Sequence, residues 1–129
     1  MKSDYYALDN GKQAIFYIYE YGLSFAYGNA FKYLVRAGRK ENNSAESDLN
    51  KALVYIMSSD KEITLAKRLA KRAYNSIRFN DKTQFAEHHL AEILKAVIKY
   101  DDPIKIARMI VNYMKFRGIE VNDKFKLFE

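Results

Sequence analysis

Asn29, Lys32, Tyr33 and Arg36 recur at helical spacing in GNAFKYLVRAGRK, and Asp48, Lys51 and Tyr55 repeat that spacing after a short polar stretch. Positions 29, 32, 33 and 36 stand at i, i+3, i+4 and i+7 and share one helix face. Ala30, Phe31, Leu34 and Val35 take the opposite side. Arginine offers a planar fork of donors suited to phosphate, lysine a compact point charge, and tyrosine an aromatic surface with a polar tip. Two such helices facing each other, with Lys40 just beyond, would frame a small polar pocket selective for an anion. The same residues also describe a solvated helix surface whose long stems snorkel over apolar neighbours.

The elements that must position these side chains are readable from caps and periodicity. The first helix is expected to follow Asp9 or Asn10 and run to about Glu20, although AIFYIYEY also has strand propensity. Ser24 caps the second helix, which stops near Gly38. Ser44 or Ser47 caps the third, turning Leu49, Ala52, Leu53 and Ile56 inward. Asp60 opens ITLAKRLAKRAYNSI, whose apolar stripe (Leu65, Leu69, Ala73, Ile77) opposes a basic face. Asp81 and Gln84 read as a capping box before a fifth helix with Phe85, Leu90, Ile93, Leu94, Val97 and Ile98 inside. Asp102-Pro103 restarts the chain as a sixth helix with Ile104, Ala107, Ile110, Val111 and Met114 on its stripe. The tail IEVNDKFKLFE is expected to dock as an extended segment or to fray. The fold class is therefore all-α: a single compact bundle of about six helices.

Composition bounds the rest. At 129 residues, with 49% hydrophobic and 29% charged side chains, the chain has the size and balance of one water-soluble domain. It has no cysteine, which excludes disulfides and thiolate metal sites. No apolar run approaches the ~20 residues that span a bilayer, and MKSDYYALDNGK lacks the apolar core of a signal peptide. A cytoplasmic protein without membrane contact is expected. Residues 1–60 carry seven basic and seven acidic groups, so the net charge of +6 lies entirely in residues 61–129. Residues 61–80 alone hold six basic groups against Glu62, a local +5.

The pattern Gly28-Asn29-x-x-Lys32-Tyr33-x-x-Arg36-Ala37-Gly38-x-Lys40, followed by Asp48-Leu49-x-Lys51-Ala52-x-x-Tyr55, resembles the small phage nucleotide kinase family over roughly residues 5–57. That resemblance implies a phage or prophage protein that binds nucleotides, possessing nucleoside monophosphate kinase activity without a phosphate-binding loop. Lys32, Arg36 and Lys51 would then hold phosphates, and Tyr33 or Tyr55 would stack on a base. Asp48 would orient Lys51 or a magnesium-bound water, so magnesium would enter with the nucleotide. Tyr5-Tyr6 stands where the family has a His-Tyr pair, Phe16 where it carries an acid, and Val35 where it carries an aromatic. On this reading Arg36→Ala costs nucleotide binding and leaves the fold intact.

Other chemistry is thinner. His88 and His89 are adjacent and so diverge by about 100° on a helix, a poor metal pair, and one of them is expected to be half-buried. Acids are too scattered for a helical magnesium cage, and no G-x-x-x-x-G-K-[ST] loop occurs. Gly28 next to Asn29 admits two readings, a backbone approach for a ligand or close helix packing. The competing signal is the basic face of residues 61–80. Lys67, Arg68, Lys71 and Arg72 there could track nucleic acid or meet an acidic host protein. The corresponding alternative function is a non-catalytic phage accessory or anti-defence protein.

Overall fold

The structure is a computed structural model that describes residues 5–8, 11–40, 42, 44–59 and 88–129. Five α-helices and one 3-10 helix are seen among these residues: α1 (Ala14–Glu20), α2 (Phe25–Arg36), α3 (Ala45–Met57), α4 (His88–Ile98), α5 (Pro103–Phe116) and the 3-10 turn Asp123–Phe128. No strand accompanies them among the described residues; one isolated bridge pairs Ala7 with Gln13. The all-α expectation holds. The helix expected over residues 60–80, Lys67, Arg68, Lys71 and Arg72 on it, the Asp81–Gln84 box and Phe85 lie outside the described residues.

Caps behave as their chemistry requires. The Ser24 hydroxyl accepts from Tyr27 N–H at 3.1 Å and the Ser44 hydroxyl from Ser47 N–H at 3.1 Å. The Asp102 carboxylate takes the N–H groups of Ile104 and Lys105 at 3.1 and 3.3 Å, with Pro103 at the first position. These bonds satisfy donors that a helix start leaves open. The first helix starts later than expected. Leu8 N–H donates to Lys12 O at 2.9 Å and Ala14 N–H to Tyr6 O at 2.7 Å, so the chain reverses between Tyr6–Leu8 and Lys12–Ala14, and this reversal must finish before α1 begins. Gln13 stands at the α1 N-cap without a side-chain bond.

The core runs through α2, α3, α4 and α5. Phe31 and Leu34 from α2, Leu49, Leu53 and Ile56 from α3, Leu94 and Val97 from α4, and Ile106, Ile110 and Met114 from α5 are all excluded from solvent. Ile104, expected inside, stands in the first turn of α5 and is 46% exposed. The tail docks, through Val121, Phe125 and Phe128, as a 3-10 helix rather than an extended segment. Gly28 resolves as a packing glycine: a Cβ there would lie 3.2 Å from Ile18 Cγ2, so its absence lets α1 press on α2.

The corner between α4 and α5 is locked to the start of α2. Tyr100 adopts φ 55, a left-handed conformation costly for an aromatic residue. Its ring stacks on Tyr27 with centroids 4.4 Å apart, and its hydroxyl accepts from Ser24 N–H. Tyr27 donates to Asp101 O at 2.9 Å. Burial pushes the Tyr27 phenol well above its ordinary 10.0, against a lowering hydrogen bond with Ser59. Both hydroxyls in this tyrosine pair thus have partners.

Candidate functional site

Asp48 lies on the apolar stripe of α3 beside Leu49 and Ala52, where an unpaired carboxylate would be prohibitively costly. Its partner is Arg36, in the last turn of α2. Arg36 Nη2 and Nε donate to Asp48 Oδ1 at 2.5 and 3.1 Å, and Nη1 donates to the Tyr6 hydroxyl at 3.0 Å. Arg36 is 5% exposed and Asp48 is fully buried. Gly38 N–H donates to Asp48 Oδ2 at 3.2 Å, from a backbone with φ 76 that suits glycine. Burial pulls the guanidinium pKa down, but the hydrogen bond and charge of Asp48, with Tyr6, outweigh it and leave it raised. The guanidinium stays cationic and is neutralised inside the protein. Arg39 extends the same tie, donating to Ala7 O at 2.7 Å and Val35 O at 3.1 Å.

A second layer sits on this clamp. The Tyr33 ring has Arg36 Cζ at 4.9 Å, Lys32 Nζ at 4.9 Å and Lys51 Nζ at 5.4 Å from its centroid. These distances suit cation–π attraction. Tyr55 stacks on Tyr33 at 5.9 Å with planes 13° apart, and Phe25 meets Tyr55 edge-on at 6.0 Å. The Tyr6 ring closes the other side, 5.9 Å from Lys32 Nζ and 5.6 Å from Arg36 Cζ. Lys32, Tyr33, Lys51 and Tyr55 are half-buried, whereas Phe25 is 73% exposed. Among the described residues neither lysine has a carboxylate within ion-pair distance. With Arg36 balanced by Asp48, Lys32 and Lys51 carry the cluster's excess charge.

The helices thus bring together six of the eight residues singled out for phosphate binding: Lys32, Tyr33, Arg36, Asp48, Lys51 and Tyr55. Two stand apart. Asn29 donates its amide to Phe25 O at 2.8 Å on its own helix. Lys40 is exposed beyond the end of α2, and among the described residues no contact joins it to the cluster. Arg36 and Asp48 meet each other in the interior, where the carboxylate takes the guanidinium and the Gly38 N–H. Sequence reasoning missed Tyr6 and Phe25. Phe25 was within reach, since it extends the 29, 32, 33, 36 face by one turn. Tyr6 was not, because its approach depends on the reversal at residues 6–14.

A groove of about 420 Å³ beside the cluster runs past Ser47, Asn50, Lys51, Val54 and Asn122. Its central amide is structural: Asn50 donates to Glu46 O and Glu120 O, and accepts from Asn122 N–H at 2.9 Å. Another groove of about 400 Å³ between α4 and α5 is walled by Ile93, Met109, Tyr113 and Phe116, with His88 and His89 at its rim. Both histidines are exposed, so neither is the half-buried residue expected, and His89 packs on Phe116 at 4.9 Å. Among the described residues no three His, Asp or Glu side chains gather closely enough to hold a metal ion. No helix among them is long and apolar enough to cross a membrane.

Residues 2–57 match a family described as a protein of unknown function, DUF3310. The match ends at the last residue of α3, so the whole cluster, from Tyr6 to Tyr55, falls inside it while α4, α5 and the 3-10 turn fall outside. Comparison with curated proteins and with solved structures returned no match. The resemblance to phage nucleotide kinases is therefore corrected. The stretch it covers is similar to an uncharacterised family, and nothing ties that family to nucleotide kinases.

Proposed function

We propose that the protein binds a nucleotide, with its phosphate between Lys32 and Lys51 and its base against the Tyr33–Tyr55 pair, in the cytoplasm. One observation carries this reading: two lysines from different helices converge on one tyrosine ring, at 4.9 and 5.4 Å, without a carboxylate among the described residues to balance them. Like charges held close together raise each other's energy, and an anion between them relieves that cost. Arg36 contributes indirectly. Its buried pair with Asp48 fixes the spacing of α2 and α3, and hence of the two lysines. Magnesium, where it takes part, enters as the counter-ion of the nucleotide phosphates.

Calorimetry against mono- and triphosphate nucleotides, with and without magnesium, tests the reading, with inorganic phosphate as reference. A ligand present at 100 times its Kd should add about 2.7 kcal/mol to the unfolding free energy. Absence of heat and of stabilisation for every nucleotide would end the proposal. A second reading keeps the basic face of residues 61–80 as a contact for nucleic acid or an acidic partner, supported by its local charge of +5. Changing Lys67, Arg68, Lys71 and Arg72 to glutamate separates the two, because the two readings rest on different residues.

A further inference from the structure

The surface that carries Lys32 and Lys51 does not end at the tyrosine pair. Phe25, Asn29, Lys32 and Tyr33 share one face of α2, Tyr55 flanks it from α3, and Val54 is the next residue to Tyr55. Phe25 is 73% exposed and Val54 38%, while Tyr55, packed edge-on against Phe25, is half-exposed. An exposed phenylalanine on a helix is unremarkable alone. Here it continues a row of rings, from Tyr33 through Tyr55 to Phe25, with the cations Lys32 and Lys51 both close to the first ring. At about 1.5 Å per residue, Phe25 lies roughly 10 Å along α2 from Lys32.

We propose that this ledge binds single-stranded nucleic acid, its unpaired bases stacking on Tyr55 and Phe25 and its phosphates meeting Lys32 and Lys51. The inference rests on the nucleotide reading and extends it from one nucleotide to a chain of them. Small-molecule sites are concave and bury most of their ligand, but the outer rings here project from two helices into solvent. An open row of aromatic faces beside cations is the pattern that suits a strand, since each added base finds a ring and each phosphate a charge. Duplex DNA hides its base faces in its own stack and would use only the lysines. Charge complementarity selects the occupant: an apolar protein partner would leave Lys32 and Lys51 unbalanced.

Fluorescence anisotropy on the full chain with labelled oligothymidylate, oligouridylate and a duplex of equal length tests this, alongside calorimetry with the mononucleotide. Both single strands should bind more tightly than the mononucleotide and than the duplex. Two phosphate contacts should give a salt slope of about −1.4 in log K against log salt. Phe25→Ala should weaken strand binding roughly five- to 150-fold, the range of one lost stack. It should weaken mononucleotide binding far less, and Phe25→Tyr should restore the strand. Circular dichroism verifies that the variants keep their helices. If the mononucleotide binds but strands bind no tighter, or Phe25→Ala has no effect, the extension falls and the nucleotide site stands. If nothing binds, both fall. Strand binding that survives Lys32→Ala with Lys51→Ala, and is lost on reversing the charges of residues 61–80, also overturns the ledge.

Discussion

Arg36 and Lys32 stand one turn apart on the same face of α2, yet one is buried and neutralised and the other is half-exposed and, among the described residues, without a carboxylate partner. The difference comes from what lies against each. Asp48 meets the guanidinium from a position fully out of solvent, and Tyr6 covers its remaining edge. Lys32 meets ring faces instead, those of Tyr33 and Tyr6. Two cations on one helix face therefore do different work. Arg36 makes the seam between α2 and α3, and Lys32 uses that seam as a platform.

Removing the clamp should produce the largest effect. Arg36→Ala or Asp48→Ala leaves a buried charge without its partner, which costs about 3–5 kcal/mol. Urea unfolding of each variant should show that loss, against the expectation from sequence that Arg36→Ala spares the fold. The double variant should lose clearly less than the sum of the two, because the residues act as a unit. Additive losses would show that the pair does not act as one. Because the pair is buried, the loss should be about the same when salt rises from ~0.01 to ~1 M and the screening length falls from ~30 to ~3 Å.

The clamp was half legible in the sequence. Ser24, Ser44 and Asp102 announced their helices because a cap is a local event, settled within four residues. The apolar stripes of α2 and α3 were legible for the same reason. Asp48 lies on one of those stripes, and an acid at a core position demands a buried cation; that signal was present in the residues. Its partner was not readable, because spacing along a helix gives a face but not which face lies opposite it. The start of α1 and the place of Tyr6 depend on a reversal closed by backbone bonds between Leu8 and Lys12 and between Tyr6 and Ala14. No side-chain pattern marks such bonds.

Tyr6→Phe gives a smaller test at the boundary between the two regions. It keeps the ring beside Lys32 and removes only the hydroxyl that accepts from Arg36 at 3.0 Å. A hydrogen bond to a charged group contributes about 1.5–3 kcal/mol, and this one is only partly buried, so a loss near 1.5 kcal/mol is expected in urea unfolding. Nucleotide binding should change little. A loss as large as that of Arg36→Ala would mean that the reversal at residues 6–14, rather than the ion pair, holds the clamp.

The smallest effect on stability should come from the lysines, and there the contrast with Arg36 is sharpest. Lys32→Ala with Lys51→Ala removes two half-exposed cations that rest on Tyr33 and have no carboxylate partner among the described residues. Each cation–π contact at an exposed site contributes about 0.5–1 kcal/mol, and relief of repulsion between the lysines offsets part of that. Unfolding free energy should therefore move by less than about 1 kcal/mol, while the stabilisation given by nucleotide disappears. That disappearance should be mimicked in the wild type by high salt, which screens exposed charges and leaves the clamp intact. A double variant that still gains about 2.7 kcal/mol from a saturating nucleotide would remove Lys32 and Lys51 from the site. A variant that loses several kcal/mol without ligand would show that the lysines, like Arg36, belong to the fold.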